Sequence, residues 1–126
     1  MTAHEYRRTV EALWSAAEAR DWTTYAGFFD DDVVVDMPPT RERVVGRDAW
    51  VRFNSEYPDE WHAEVRRVVA DDDGAVSWVE VHVGEGSETG ISFFTFDDAG
   101  KVAAIRDFWP VAYDPPAGRE HLVERY

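Results

Sequence analysis

Apolar residues in the first part of the chain recur at helical spacing. Tyr6, Val10, Leu13, Trp14 and Ala17 share one stripe, and Thr2 with Glu5 three residues later forms a capping box, so a helix runs to about Arg20. Asp21 caps a second, shorter helix whose apolar side is Trp22, Tyr25, Phe28 and Phe29, and Asp30 to Asp32 end it. The β-branched run from Val33 predicts a strand that stops at Pro38 and Pro39, with a loop over residues 38–46. Helical spacing returns at Ala49, Trp50, Phe53 and Tyr57. This third helix spans Arg47 to Tyr57, because the residue before Pro58 avoids helical angles.

From Trp61 the period changes to two. Strand-length runs at 61–70, 75–83, 89–96 and 101–111 are separated by the turn segments DDDG, GEGSE and DDAG, which predicts an antiparallel meander. The tail after Tyr113 opens with a proline pair and predicts a short terminal helix over the sheet edge. Together these elements predict one α+β domain over residues 1–126, in which three N-terminal helices cover the concave face of a curved sheet. The interior of such a curve is a natural pocket.

Asp107 is the informative residue of the last strand. It interrupts the apolar run KVAAIRDFW and faces neighbours drawn from GISFFTF, so its charge is either used or paired. Burial without a cationic partner points to an acid or base; an ion pair with Arg47 or Arg106, or a place facing solvent, points to a structural role.

Trp14, Tyr25, Trp50 and Phe53 on the helices and Met37, Ser92, Phe94 and Trp109 on the strands are the expected pocket wall. Trp78, Glu80 and His82 share one face of their strand. That face is either a pocket wall, with Trp78 in contact with ligand and Glu80 and His82 shuttling protons, or a dimer surface opposite Val79, Val81 and Val83. One face lines the cavity and the other meets a partner, which predicts a homodimer.

Composition narrows the function. Aromatic residues make up 14% of the chain, which suggests that some rings line a cavity for an apolar small molecule while most fill the core. A net charge of -13 argues against nucleic acid and anionic membrane surfaces, which both require cationic patches. No cysteine is present, so thiol chemistry and disulfides are excluded. The four histidines lack ligand spacing and the Asp runs lack the alternation of a calcium loop, so no metal is expected; no nucleotide motif signals a cofactor. The N-terminus is polar and no membrane-length apolar run occurs, which places the protein in the cytoplasm. Lys101 is the only lysine, the mark of a GC-rich bacterial coding bias.

Three segments, YAGFFDDDVVVDMP, VGRDAWVRF and GKVAAIRDFW, resemble the nuclear transport factor 2-like superfamily, in particular its SnoaL-like and ketosteroid-isomerase-like bacterial members. The resemblance covers nearly the whole chain. It implies a conical, cystatin-like α+β fold, usually dimeric through the outer sheet face, with an apolar pocket serving isomerases, cyclases, dehydratases, epoxide hydrolases and non-catalytic binders.

Carried over residue by residue, the isomerase base position is Met37, with Asp36 one residue earlier and therefore on the other face. The second acid falls at about Ser92, and the helix-one tyrosine near Leu13 and Trp14. The aspartate of the SnoaL-like cyclases falls on Asp107, while their histidine falls near Phe93. An epoxide-hydrolase arginine and aspartate two apart are not matched by the adjacent Arg106 and Asp107. The resemblance thus implies single-base proton transfer through Asp107, with Tyr25, Ser92 or the Glu80 and His82 pair as second donor. The alternative is a module of the same fold that binds a hydrophobic ligand or dimerises without catalysis.

Overall fold

The computed structural model describes residues 1–126. Helix α1 (Ala3–Glu18) starts at the expected capping box: the Thr2 hydroxyl accepts from Glu5 N–H at 3.2 Å and the Glu5 carboxylate accepts from Thr2 N–H at 2.8 Å. Helix α2 (Trp22–Ala26) is capped by Asp21 but closes at Gly27. Phe29 therefore opens the first strand, β1 (Phe29–Met37), instead of ending a helix.

Glu42–Val45, expected as a loop, forms β2 and pairs antiparallel with β1, Val35 opposite Val44. Edge pairing uses backbone groups, so a four-residue strand leaves little trace in side-chain period. Helix α3 (Arg47–Ser55) ends two residues before Tyr57. Strands β3 (Trp61–Asp71), β4 (Gly74–Val83), β5 (Gly86–Phe96) and β6 (Val102–Phe108) follow. β6 stops at Phe108, short of the expected Val111, and the tail carries only an exposed 3₁₀ turn at Glu120–Leu122, not a helix over the sheet edge.

The strands form one curved, unclosed sheet in the order β2-β1-β6-β5-β4-β3. The β3 to β6 meander is antiparallel as expected, but the sheet as a whole is mixed, because the meander returns from the far edge and lays β6 parallel to β1. Helix α1 packs on β3 and β4, and α3 on β1 and β2. Between them lies a core containing Val10, Leu13, Phe29, Val33, Val35, Val79 and Val102, all nearly inaccessible. No helix is long and apolar enough to cross a membrane.

Strand alternation divides the side chains between the two faces of the sheet. Val33, Val35 and Met37 of β1, Ser77, Val79 and Val81 of β4, Ser92 and Phe94 of β5, and Ile105 and Asp107 of β6 are buried under the helices. Asp36, Trp78, Phe93 and Arg106 point to the outer face, as parity requires.

Candidate active site

A cavity of about 420 Å³ opens between the helices and the concave sheet face. Trp14, Tyr25, Trp50 and Phe53 from the helices and Met37, Ser92, Phe94 and Trp109 from the sheet side all line it, so the predicted wall is brought together. Trp14 is held across the site by its indole N–H, which donates to Ser77 Oγ at 3.1 Å.

Asp107 lies in this wall, 6% exposed. Ser92 sits directly opposite it on β5, and Ser92 Oγ donates to Asp107 Oδ1 at 2.5 Å. Trp109 Nε1 donates to Oδ2 at 2.9 Å. Trp109 can lie against β5 because residue 90 is glycine; a Cβ there would meet the Trp109 ring at 2.6 Å. No cation reaches the carboxylate. Arg47 pairs with Asp31 at 2.6 Å, and Arg106 is exposed on the other sheet face. Burial raises the Asp107 pKa above the ordinary carboxylate range, and the two donors lower it only in part.

Ser92 adds a proton path. With Asp107 ionised, the hydroxyl donates to the carboxylate. With Asp107 protonated, the acid can donate to Ser92 Oγ, which frees the serine proton to point into the cavity. Tyr25 is the second buried hydroxyl of the wall; burial, followed by the negative charge of Asp107, keeps it protonated against the opposing influence of Trp50. Trp50 Nε1 lies against it yet has no partner of good hydrogen-bond geometry. The buried part of the cavity wall thus combines one carboxylate with two hydroxyls.

Trp78, Glu80 and His82 are on the other face. Trp78 is 46% exposed, and Glu80 accepts from Thr89 Oγ1 at 2.8 Å and Trp78 Nε1 at 3.2 Å, away from the cavity. Their expected catalytic and binding roles are corrected by parity: Val81 and Val83 occupy the cavity side. Phe93, at the cyclase histidine position, also faces outward. The sequence reading missed Trp61, Glu42 and Glu88, which line the cavity. The β2 pairing that positions Glu42 imposes no period on its side chains, and Glu88 lies in the GEGSE segment, whose composition predicts a turn. No group of three His, Asp or Glu side chains is placed to hold a metal ion.

The SnoaL-like domain family matches residues 10–105, from α1 into β6. The chain belongs to this family. Asp107 and Trp109 lie just past the matched span of the SnoaL-like domain, so their roles rest on geometry. Among solved structures, a provisionally assigned ketosteroid isomerase from Kribbella flavida is 38% identical over 100% of this chain and 93% of its own, with a TM-score of 0.94.

A nuclear transport factor 2-like protein of unknown function from Burkholderia xenovorans is 23% identical, covering 100% and 98%, with a TM-score of 0.82. An LEH-like epoxide hydrolase of M. tuberculosis is 20% identical, covering 86% and 84%, with a TM-score of 0.73. The last two speak to the fold alone, which is nuclear transport factor 2-like. No curated protein matches the chain significantly.

Proposed function

We propose that this SnoaL-like protein is a cofactor-independent acid/base enzyme that moves a proton on an apolar small molecule, with Asp107 as the base. The observation that supports this most is a buried carboxylate, free of any cation, in the wall of an apolar cavity. Isomerisation, cyclisation and dehydration share one step that this site suits. A C–H proton passes to Asp107, the charge left on the ligand is met by the Tyr25 hydroxyl, and the proton returns from Asp107 to another atom. The name of the Kribbella relative supports the same reaction class. Exchange of the α-protons of 2-tetralone in D2O, followed by NMR, tests it. Exchange at the buffer rate would overturn the enzyme reading and leave a non-catalytic ligand-binding protein. That second reading draws on one observation: both Asp107 oxygens already accept hydrogen bonds.

Exchange should rise with pH along a single ionisation whose midpoint lies above the ordinary carboxylate range, because only ionised Asp107 accepts a proton. Trp109→Phe removes a donor that favours the ionised form, so the midpoint should move further up; an unchanged midpoint would show that this hydrogen bond does not tune the base. The same shift carries a sign for stability. Folded Asp107 holds its proton to higher pH than unfolded Asp107, so its contribution to stability falls as pH rises from the ordinary aspartate range through the raised pKa.

A second copy of the chain is the partner this reading includes. On the outer face Trp78, Ile91 and Phe108 sit side by side on β4, β5 and β6, and Phe93 meets Phe108 edge-on at 5.9 Å. Arg43 and Arg106 flank this patch toward β2 beside Asp36, and Glu64 and Glu80 flank it toward β3 beside Arg66 and Arg67, so both flanks carry mixed charge. A two-fold axis through the Trp78 and Ile91 region lays this aromatic patch of one copy on that of the other. Light scattering should give twice the 14.5 kDa chain mass, and Trp78→Lys should restore the chain mass. A parent protein that is monomeric at micromolar concentration would overturn the dimer.

A further inference from the structure

The charged residues of the cavity wall are all of one sign. Asp107 lies within the wall, while Glu42 on β2 and Glu88 on β5 are exposed carboxylates of the same lining, and no arginine, lysine or histidine joins them. The nearby basic residues Arg41, Arg43 and Arg106 line an adjoining depression beside Asp36, which meets the cavity at Met37 and Glu42. Arg20 stays outside the lining and is paired with Glu18 at 3.6 Å.

An anion entering the cavity would lose its hydration and find no cation, under the repulsion of three carboxylates and a chain of net charge -13. A cation meets the opposite conditions. Eight of the 21 lining residues are aromatic, and ring faces attract ammonium groups, more strongly where water is excluded. Trp61 already holds a guanidinium, that of Arg20, 4.0 Å from its ring centroid.

We propose that the cavity selects apolar molecules carrying a positively charged nitrogen, and rejects carboxylates and phosphates of the same shape. This rests on the cavity being a ligand site, and it names the class of ligand. Glu42 and Glu88 draw the ammonium group in, the aromatic rings and Asp107 hold it, and the apolar skeleton fills the remaining wall. A positive charge beside a C–H bond also acidifies it, in the direction the Asp107 chemistry needs.

Three probes of one shape test the inference: 2-naphthylmethylammonium, 2-naphthylmethanol and 2-naphthoate, titrated into the intact protein by calorimetry at pH 7. The ammonium ion should bind at least tenfold more tightly than the alcohol, with naphthoate weakest. The double variant Glu42→Gln with Glu88→Gln should narrow the ratio of ammonium to alcohol affinity. If the alcohol binds but the ammonium ion holds no advantage, or if naphthoate matches it, the charge selectivity is wrong and the cavity reading survives. If none of the three binds, the cavity reading itself fails and this inference with it.

Discussion

Asp107→Asn should lower the α-proton exchange of 2-tetralone by about 10²–10⁴-fold, the usual contribution of a positioned base. Asparagine keeps the size of the side chain and an oxygen that can accept from Ser92, though its amide nitrogen cannot accept from Trp109, and it cannot take a proton at any pH the protein survives. Fold and affinity for a neutral ligand should therefore persist, and the loss should appear in kcat far more than in KM. Circular dichroism and binding of 2-naphthylmethanol provide the controls. Exchange by the variant at the parent rate would remove Asp107 from the chemistry and leave the binding reading in its place.

Phe29→Ala should produce the largest loss of stability, about 3–5 kcal/mol by urea unfolding, as for other buried large-to-small aromatic changes. Phe29 is 1% exposed where β1 begins, pairs in register with Val102 of β6, and packs on Tyr25 with ring centroids 4.8 Å apart. Its removal opens a void that main-chain pairing on β1 keeps from collapsing. Because Tyr25 leans on this ring, proton exchange should fall as well. Tyr113→Ala, in the exposed tail, should change stability by no more than about 0.5 kcal/mol, and an equal loss there would point to packing of the tail that the fold does not contain.

The helices and the four long strands were legible because each buries one face, and burial imposes a period on the side chains. Thr2 and Asp21 announced helix starts by the same local chemistry that caps them in the fold. The apolar wall was legible for a related reason: Trp14, Trp50, Phe53 and Phe94 occupy the inward positions of elements whose period could be read. Short β2 was not, since an exposed four-residue edge strand is held by backbone hydrogen bonds and asks little of its side chains. The limits of α2, α3 and β6 shifted by a few residues: α2 closes at Gly27, α3 at Ser55 and β6 at Phe108.

The site divides along the same line. A carboxylate in an apolar strand marked Asp107 as a group to be used or paired, while its burial away from Arg47 and Arg106 was decided by the packed fold. The partners of Asp107 depended on register: Ser92 is 15 positions away in the chain, and only the pairing of β5 with β6 puts the two side chains within one hydrogen bond.

Which face of β4 is concave also lay beyond its own sequence, where Trp78, Glu80 and His82 alternate with valines as cleanly as an inner wall would. The docking of α1 on β3 and β4 settled it, turning Val79 and Val81 inward and leaving the glutamate and histidine outside. Period belongs to a single element and is written in the chain; the choice of face and the meeting of distant side chains arise only when elements pack, because burial is a property of the whole assembly.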